Sequence, residues 1–421
     1  MRTSGYGGED ETAVEQPHFG RRLKAIRLKQ GLHQSDLAGA GMSTGYLSRL
    51  ESGDRPPTPR AIAYLAAKLG VDAAFLTQRP RGSLSEILAA TASAPRSADS
   101  IAALSRAVHE DTFDDPGARW HALWLLSRRS SQQGDHEVER TLLLELVALS
   151  EGLGTPELRA RAHLQHARCM RALGDMRAAL PAAELAVAIT RESGLSAADT
   201  MGALMVLISV EAESGSLDTA TRHAQILEQE FLAGALPSQA AEILWVAAMV
   251  RVRKGDFPSA MRRLESAIDR LDSTEDLGLW TRLRAAAAAA AMQSATPHLE
   301  AARHWIAEAE MAVSLIGTAL QIQEIRSLQA HLAFHENRWD DARQLCDTVL
   351  NDDQLRLSYR DRVRLQILDG RLMIMDGWVG AGIKNLENLG RQAAETQNFD
   401  LAAQVWHSLA MTLAAIHAPP P

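Results

Sequence analysis

Cysteine is almost missing from this chain: 421 residues contain two, Cys169 and Cys346, each inside a helical pattern. A disulfide framework is excluded on that count, and buried small hydrophobes are the expectation for both thiols, with a redox-sensing pair as the alternative. No apolar run approaches the length of a membrane span and no secretory leader pattern opens the chain. The expectation is a soluble, cytoplasmic protein with no membrane partner. Enzyme signatures are missing as well. There is no GxxxxGK[ST] phosphate loop, no HExxH and no cysteine cluster, which points away from an enzyme. His331 with His335, and His163 with His166, each form half a metal site without a carboxylate or cysteine at ligand spacing, so no metal and no cofactor is expected. Asparagine is scarce too, with all five residues beyond position 336.

A basic balance is also missing overall, since the net charge is −8, which by itself argues against a nucleic-acid partner. Counting by segment reverses this. Residues 18–82 carry 11 Lys or Arg against 4 Asp or Glu, a net of +7, whereas residues 1–17 sum to −3 and 83–421 to −12. A basic module on an acidic body concentrates phosphate affinity in one place. The first 17 residues, glycine-rich and acidic, read as a disordered tail.

Within the basic module, QSDLAGAGMSTGYLSRLESG from Gln34 to Gly53 holds two short helical patterns joined by a turn at Gly41. Leu37 and Ala38 mark the inner face of the first, and Leu47 and Leu50 that of the second. Ser43 is a good N-cap for the second helix, whose first turn then offers free backbone N–H groups to phosphate. Thr44, Gly45, Ser48 and Arg49 face outward and are small or polar, so this helix can enter a major groove and present Arg49 to a guanine edge, with Tyr46 beside it. Flanking helices supply the rest of a core. Phe19, Leu23 and Ile26 share one face upstream, with Arg21, Arg22, Lys24, Arg27 and Lys29 around the remainder. Downstream, Thr58 caps and Pro59 starts a helix that turns Ile62, Leu65, Ala66 and Leu69 inward and closes at Gly70, with Phe75 and Leu76 sealing the bundle. A five-helix domain over residues 18–77 is expected.

These residues resemble the Xre-type regulators, whose DNA-binding domain is like that of phage Cro and repressor proteins. The resemblance covers about Phe19 to Leu76 through LKAIRLKQGLHQSDLA, MSTGYLSRLESG and PTPRAIAYLAAKLGV. It implies that Gln34 contacts a phosphate, that Arg27 pairs with Glu51, and that Arg60 approaches the DNA backbone. The stretch LAGAGMS is one residue shorter than the usual LAxxxGVS, so a tighter turn is expected.

Residues 78–100 read as a partly helical linker around an apolar stretch at Leu84 to Ala92. Residues 101–416 carry a repeat, and 417–421 a short tail. Turn signals recur at Gly134, Gly174, Gly215, Gly255, Pro297, Asn337 and Gly377, spaced 40, 41, 40, 42, 40 and 40 residues apart. Five residues after most of them stands a small residue (Ala179, Ala220, Ala260, Ala302, Ala342, Gly382), with Glu139 the departure. Seven residues before most of them stands another (Ser127, Ala167, Ala248, Ala290, Ala330, Gly370), with Ile208 the exception. A bulky side chain follows two residues after: Met176, Leu217, Phe257, Leu299, Trp339 and Val379. Small residues let antiparallel helices cross closely while the bulky one plugs the gap beside the turn. The pattern resembles lengthened tetratricopeptide repeats, about seven helix pairs with a capping helix at Leu401 to Ala415.

An all-α protein follows, a small helix-turn-helix domain ahead of an α-solenoid with a long concave surface. That surface would receive Trp124, Arg161, Arg168, Arg171, Trp245, Met249, Glu324, His331, Arg364 and Arg371. Its arginines suit a carboxylate, a phosphate or an acidic peptide, or else pair with acids of adjacent repeats. The two-part architecture resembles the peptide-sensing quorum regulators of Gram-positive bacteria, and the Ala- and Arg-rich composition is that of GC-rich genomes such as actinobacterial ones. The resemblance implies a homodimeric transcriptional regulator that binds double-stranded DNA and senses a peptide, small-molecule or protein ligand. The alternative is a non-transcriptional scaffold.

Overall fold

The computed structural model describes residues 16, 18–39, 41–77, 84–93, 98–110, 115–294 and 296–417. Every regular element among them is helical, as expected, and the chain divides into two compact units, Met1–Ala122 and Leu123–Pro421.

In the first unit the helices are α1 (His18–Lys29), α2 (Gln34–Leu37), α3 (Thr44–Ser52), α4 (Pro59–Leu69), α5 (Ala73–Thr77), α6 (Leu84–Ser93) and α7 (Ala98–Glu110). Two starts are set by side-chain caps at the residues the sequence marks. The Ser43 hydroxyl accepts from Tyr46 N at 3.1 Å and that of Thr58 from Ala61 N at 3.2 Å, each satisfying a donor that the helix cannot. Gly53 and Gly70 end α3 and α4 at φ +84° and +65°, where a side chain would be strained. Phe19, Leu23, Leu37, Leu47, Leu50, Leu65 and Leu76 are fully buried in one core, each stabilising the fold by about 1.5–3 kcal/mol. Phe75 lies outside the described side chains.

The missing residue before α3 is absorbed in the turn. Helix α2 stops after one turn, Gly39 and Gly41 take φ +133° and +89°, and Gly39 and Met42 exchange both backbone hydrogen bonds at 3.0 and 2.9 Å. Ala38 caps α2 and, partly buried, still packs against the core, and Met42 enters the core beside it.

One expectation changes here, at Gln16. Arg22 and Arg27, on the basic flank of α1, are buried: only 6% and 7% of their surfaces are exposed. Gln16, placed by sequence in the tail, is ordered against the domain: its Nε2 donates to the carbonyls of Leu50 (3.2 Å) and Arg55 (2.6 Å), while its Oε1 accepts from Gly20 N (3.0 Å). The rest of the 1–17 segment lies outside the described residues. In the 78–100 stretch, α6 forms and packs against α7 through buried Leu84, Leu88, Leu104 and Val108.

Helix α8 (Pro116–Gln133) crosses the division between the units. The second unit continues with α9 (His136–Leu153), α10 (Pro156–Leu173), α11 (Met176–Glu192), α12 (Ala197–Glu213), α13 (Leu217–Phe231), α14 (Pro237–Arg253), α15 (Phe257–Arg270) and α16 (Leu277–Gln293). It ends with α17 (Leu299–Ile316), α18 (Ala319–His335), α19 (Trp339–Leu350), α20 (Tyr359–Met375), α21 (Val379–Glu395) and α22 (Phe399–His417). Each helix from α9 to α22 packs on the next, and the even-numbered ones from α10 also pack on each other, so they form the inner layer.

The small residues of the repeat are buried where paired helices cross: Ala179, Ala220, Ala260, Ala302 and Ala342 are all at 0% exposure. A Cβ on Gly382 would sit 2.8 Å from the Gly370 carbonyl oxygen, so α20 and α21 approach closest at a glycine pair. Glu139, the departure, is fully buried in the same slot, where it accepts from Gln165 Nε2 at 2.7 Å and bonds His136 Nδ1 at 2.9 Å. Of the plugs, Met176 is buried whereas Trp339 stays 44% exposed.

The solenoid also closes on itself. Residues of the last repeats meet those of the first across one turn of the superhelix. Met176 N donates to Thr396 O at 3.2 Å, Arg177 Nη2 to Glu395 O at 2.8 Å, and Arg356 pairs with Asp135. The Tyr359 ring packs where a side chain on Gly174 would be, and Phe399 Cβ lies 3.4 Å from the Cβ position of Gly215. The turn glycines thus admit both the left-handed backbone and the neighbouring coil.

Candidate nucleic-acid interface and repeat interior

Helix α3 is held from behind by a buried charge pair. Arg27 Nε and Nη2 donate to Glu51 Oε1 and Oε2 at 2.6 and 2.9 Å, a bidentate fork, and Arg27 Nη1 donates to the Leu32 carbonyl at 2.8 Å. Gln34 Nε2 adds a third donor to Glu51 Oε2 at 2.8 Å. These bonds tie α1, α2 and α3 into one orientation. Arg27 is therefore a positioning residue with its guanidinium spent inside the domain, and the Gln34 amide nitrogen is likewise engaged. Burial pushes the Arg22 guanidinium down from its ordinary value.

On the opposite side of α3, Ser43, Thr44, Gly45, Ser48 and Arg49 are all exposed, and nothing lies within reach of the Gly45 Cβ position. The Arg49 Nε folds back onto the Gly45 carbonyl at 3.2 Å. Tyr46 is half-buried, with the Arg55 guanidinium 4.8 Å above its ring. Arg60, at the start of α4, is exposed. The result is a small-residue helix face with one long cation and a free helix N-terminus.

In the second unit the expected groove residues divide into two groups. Arg161 pairs with Asp199 Oδ1 at 3.0 Å and Arg171 with Glu213 Oε1 at 3.0 Å, both across to α12. Their charges are satisfied within the solenoid. Trp124, Arg168, Trp245, Met249, Glu324, His331, Arg364 and Arg371 are half-buried, neither packed away nor on the outer face. Burial, against the pull of Glu242 and helped by Arg128, Arg171 and Arg282, brings Arg168 down to about 10. Burial and Asp361 push the Glu324 carboxyl up to about 8, and burial with Arg364, His335 and Arg371 drops His331 to about 3. Arg282 stands 5.8 Å over the Trp245 ring and Arg371 4.3 Å over that of Phe334.

A further cluster escapes a reading by motif. Glu213, 1% exposed, accepts from Arg171 and from Arg253 Nη2 (3.1 Å), and Arg360 Nε stands 3.4 Å away as an ion-pair neighbour without a hydrogen bond. Asp400 Oδ2 receives Arg360 Nη1 at 2.8 Å, Gln404 Nε2 at 3.0 Å and Arg253 Nε at 3.3 Å, and Arg360 Nη2 donates to Asn398 Oδ1 at 3.2 Å. Burial alone would raise the Glu213 carboxyl, yet Arg360, Arg171 and Arg253 hold it at about 2. A sequence signal for it exists: Glu213 and Arg253 each stand two residues before a turn glycine, at buried positions of the repeat where a charge is unexpected. The thiols of Cys169 and Cys346 are buried, and burial raises both, that of Cys346 to about 12.

Among the described residues no group of three or more His, Cys, Asp or Glu could hold a metal ion, and no helix is long and apolar enough to cross a membrane.

The sequence profile of a helix-turn-helix domain family matches residues 18–78. No curated protein matches the chain in sequence. Among solved structures, the chain is similar to a Rap protein complexed with Competence and Sporulation Factor, at 8% identity and TM-score 0.54 over 94% of this chain and 96% of that one. It is similar to the Rap conjugation gene regulator of plasmid pLS20 in complex with the Phr* peptide, at 10% identity and TM-score 0.54 over 96% and 99%. PlcR of Bacillus thuringiensis, in complex with the peptide PapR7 and DNA, matches at 13% identity and TM-score 0.42 over 75% and 98%.

Proposed function

We propose that this protein is a sequence-specific DNA-binding transcriptional regulator of Xre type whose repeat unit senses a ligand. The observation that carries the reading is α3: a capped helix whose outer face holds Thr44, Gly45, Ser48 and Arg49, braced from behind by the Arg27, Glu51 and Gln34 cluster. Small residues let such a helix sit deep in a major groove, where a guanidinium forks onto guanine O6 and N7. The net +7 of residues 18–82 supplies the phosphate attraction, from exposed side chains such as Arg60.

In this reading the protein works as a homodimer on two half-sites about one helical turn apart. A ligand entering the concave interior of the solenoid changes how well the paired heads fit those half-sites, which requires it to bind one arrangement better than another. The Rap proteins of similar fold were solved with Competence and Sporulation Factor and with a Phr* peptide, and this supports a sensory role for the repeats.

Genome-wide footprinting of the wild-type chain against Arg49→Ala tests the proposal. Discrete, partly palindromic sites that lose about 10- to 100-fold in affinity in the variant are expected, the worth of one bidentate base contact. Footprints that are absent, or unchanged in Arg49→Ala, overturn it and leave the scaffold as the better reading.

A further inference from the structure

The interior of the solenoid contains cations without counter-ions. On α20, Arg364 and Arg371 lie seven residues apart, hence on one face and about 10 Å apart along the axis. Opposite them on α18 stand His331 and His335: Arg364, His335 and Arg371 are close enough to act electrostatically on His331, and Arg371 on His335. No ion pair forms at either arginine among the described residues. Arg364 has one long hydrogen bond, Nε to Gln404 Oε1 at 3.4 Å, and Arg371 has the Phe334 ring.

The acids near them are already engaged. Asp400 is taken by Arg253 and Arg360, and Asp361 receives the Ser358 hydroxyl at 2.6 Å at the head of α20. Burial, helped by Arg360 and Arg253 and only partly offset by Asp361 and Asp400, also brings Arg364 down to about 10, the sign of a guanidinium deprived of water and incompletely compensated by protein. A desolvated charge is normally paired or neutralised, because leaving it alone costs several kcal/mol. Arginine cannot escape by losing its proton at neutral pH.

We propose that the Arg364 and Arg371 face of the repeat interior, together with His331, is a binding site for the carboxylate or phosphate of an anionic ligand. This rests on the sensory reading above and names the chemistry that the sensor takes. Two guanidinium forks match planar or tetrahedral oxyanions bidentately. His331, held neutral by burial and then by its cationic neighbours, offers one ring donor and one acceptor without adding charge. The Phe334 ring under Arg371 fixes one fork in place.

Thermal unfolding of the full chain tests this, using citrate, inorganic phosphate, and an alanine pentapeptide with a free C-terminus against its C-terminal amide, each against chloride at equal ionic strength. At least one free anion should raise the melting temperature by several degrees at 10 mM. Citrate or phosphate would point to a free acid, and the peptide acid alone to a chain carboxylate. In Arg364→Gln and Arg371→Gln the shift should fall at least fivefold. Arg364→Lys, which keeps the charge and loses the fork, should retain part of it.

The ligand-free glutamine variants should melt at or above the wild type, because each removes an uncompensated charge; a merely structural arginine would lower the melting point. Variants that melt lower and keep the anion shift overturn the proposal, as does the absence of a shift with every probe. An anion shift that depends on Arg364, in a protein with no footprints on DNA, keeps this site and removes the DNA-binding reading.

Discussion

Glu213→Gln removes one charge from the place where the solenoid closes and leaves the shape unchanged. Of the three guanidinium groups around it, Arg253 and Arg360 would then share Asp400 as their remaining close carboxylate, and Arg171 would lose its ion pair. Deleting one partner of a buried ion pair costs about 3–5 kcal/mol, since the other charges stay desolvated. The depressed carboxyl gives an independent figure: a fall from 4.5 to about 2 corresponds to roughly 3 kcal/mol. Both place the variant about 6–10 °C below the wild type at pH 7, at roughly 2 °C per kcal/mol for a unit of this size.

The sign with pH follows from the direction of the shift. A carboxyl held below its unfolded value stabilises above about pH 4.5 and loses that contribution as pH falls toward 2. The gap between wild type and variant should therefore be full at pH 7 and shrink below pH 4.5. Differential scanning calorimetry at pH 7 and pH 3 measures it, and amide exchange locates it. The Met176 amide, bonded to Thr396 across the coil, should exchange faster in Glu213→Gln, while amides within α4 should not change. Melting points that agree within a degree at pH 7, or a gap that persists unchanged at pH 3, would refute the argument.

Three other perturbations follow from the geometry. Gly20→Ala would drive a methyl group into the Leu50 carbonyl oxygen where α1 crosses α3; urea unfolding of the full chain should show the first unit destabilised by about 3 kcal/mol, at the upper end for overpacking. Arg27→Met should cost about 3–5 kcal/mol in the same assay by leaving Glu51 buried and unpaired, and Arg27→Met with Glu51→Leu should recover most of that loss. Glu324, held up at about 8, stabilises fully below pH 4.5 and loses that contribution as pH rises through 8; Glu324→Gln should abolish a wild-type loss on the order of 3 kcal/mol between pH 5 and 8, read from thermal melts.

What was legible in the sequence is what local chemistry decides. Ser43 and Thr58 cap because their hydroxyls meet an N–H three residues on, and Gly53 and Gly70 stop helices because the backbone there is left-handed. The 40-residue period was legible because small residues are required wherever paired helices cross. The pairing of Arg27 with Glu51 was visible only through the family pattern, since 24 residues separate them. Other features depend on contacts that no local pattern encodes. Arg22 reads as one of five basic residues around the apolar face of α1 and is buried; Gln16 reads as tail and bonds α3. Arg161 and Arg364 are the same residue type on the same inner layer, and what separates them is whether the adjoining helix offers a carboxylate.

The contact of the last repeats with the first changes what kind of polymer this solenoid is. An open repeat array folds by local nucleation and nearest-neighbour propagation, and tolerates loss of a terminal repeat. Here the Arg177 side chain bonds a carbonyl 218 residues away, so the native contact set includes closures that span well over half of the unit. Contact order rises, and with it the entropy that must be lost before the last contacts form. Folding of this unit should then have a slow, late step in which a largely assembled coil docks its end. Removing α22 should loosen helices at both ends of the chain order, because α12 as well as α20 and α21 would lose a neighbour, and for α12 that neighbour lies far away in sequence and beside it in space.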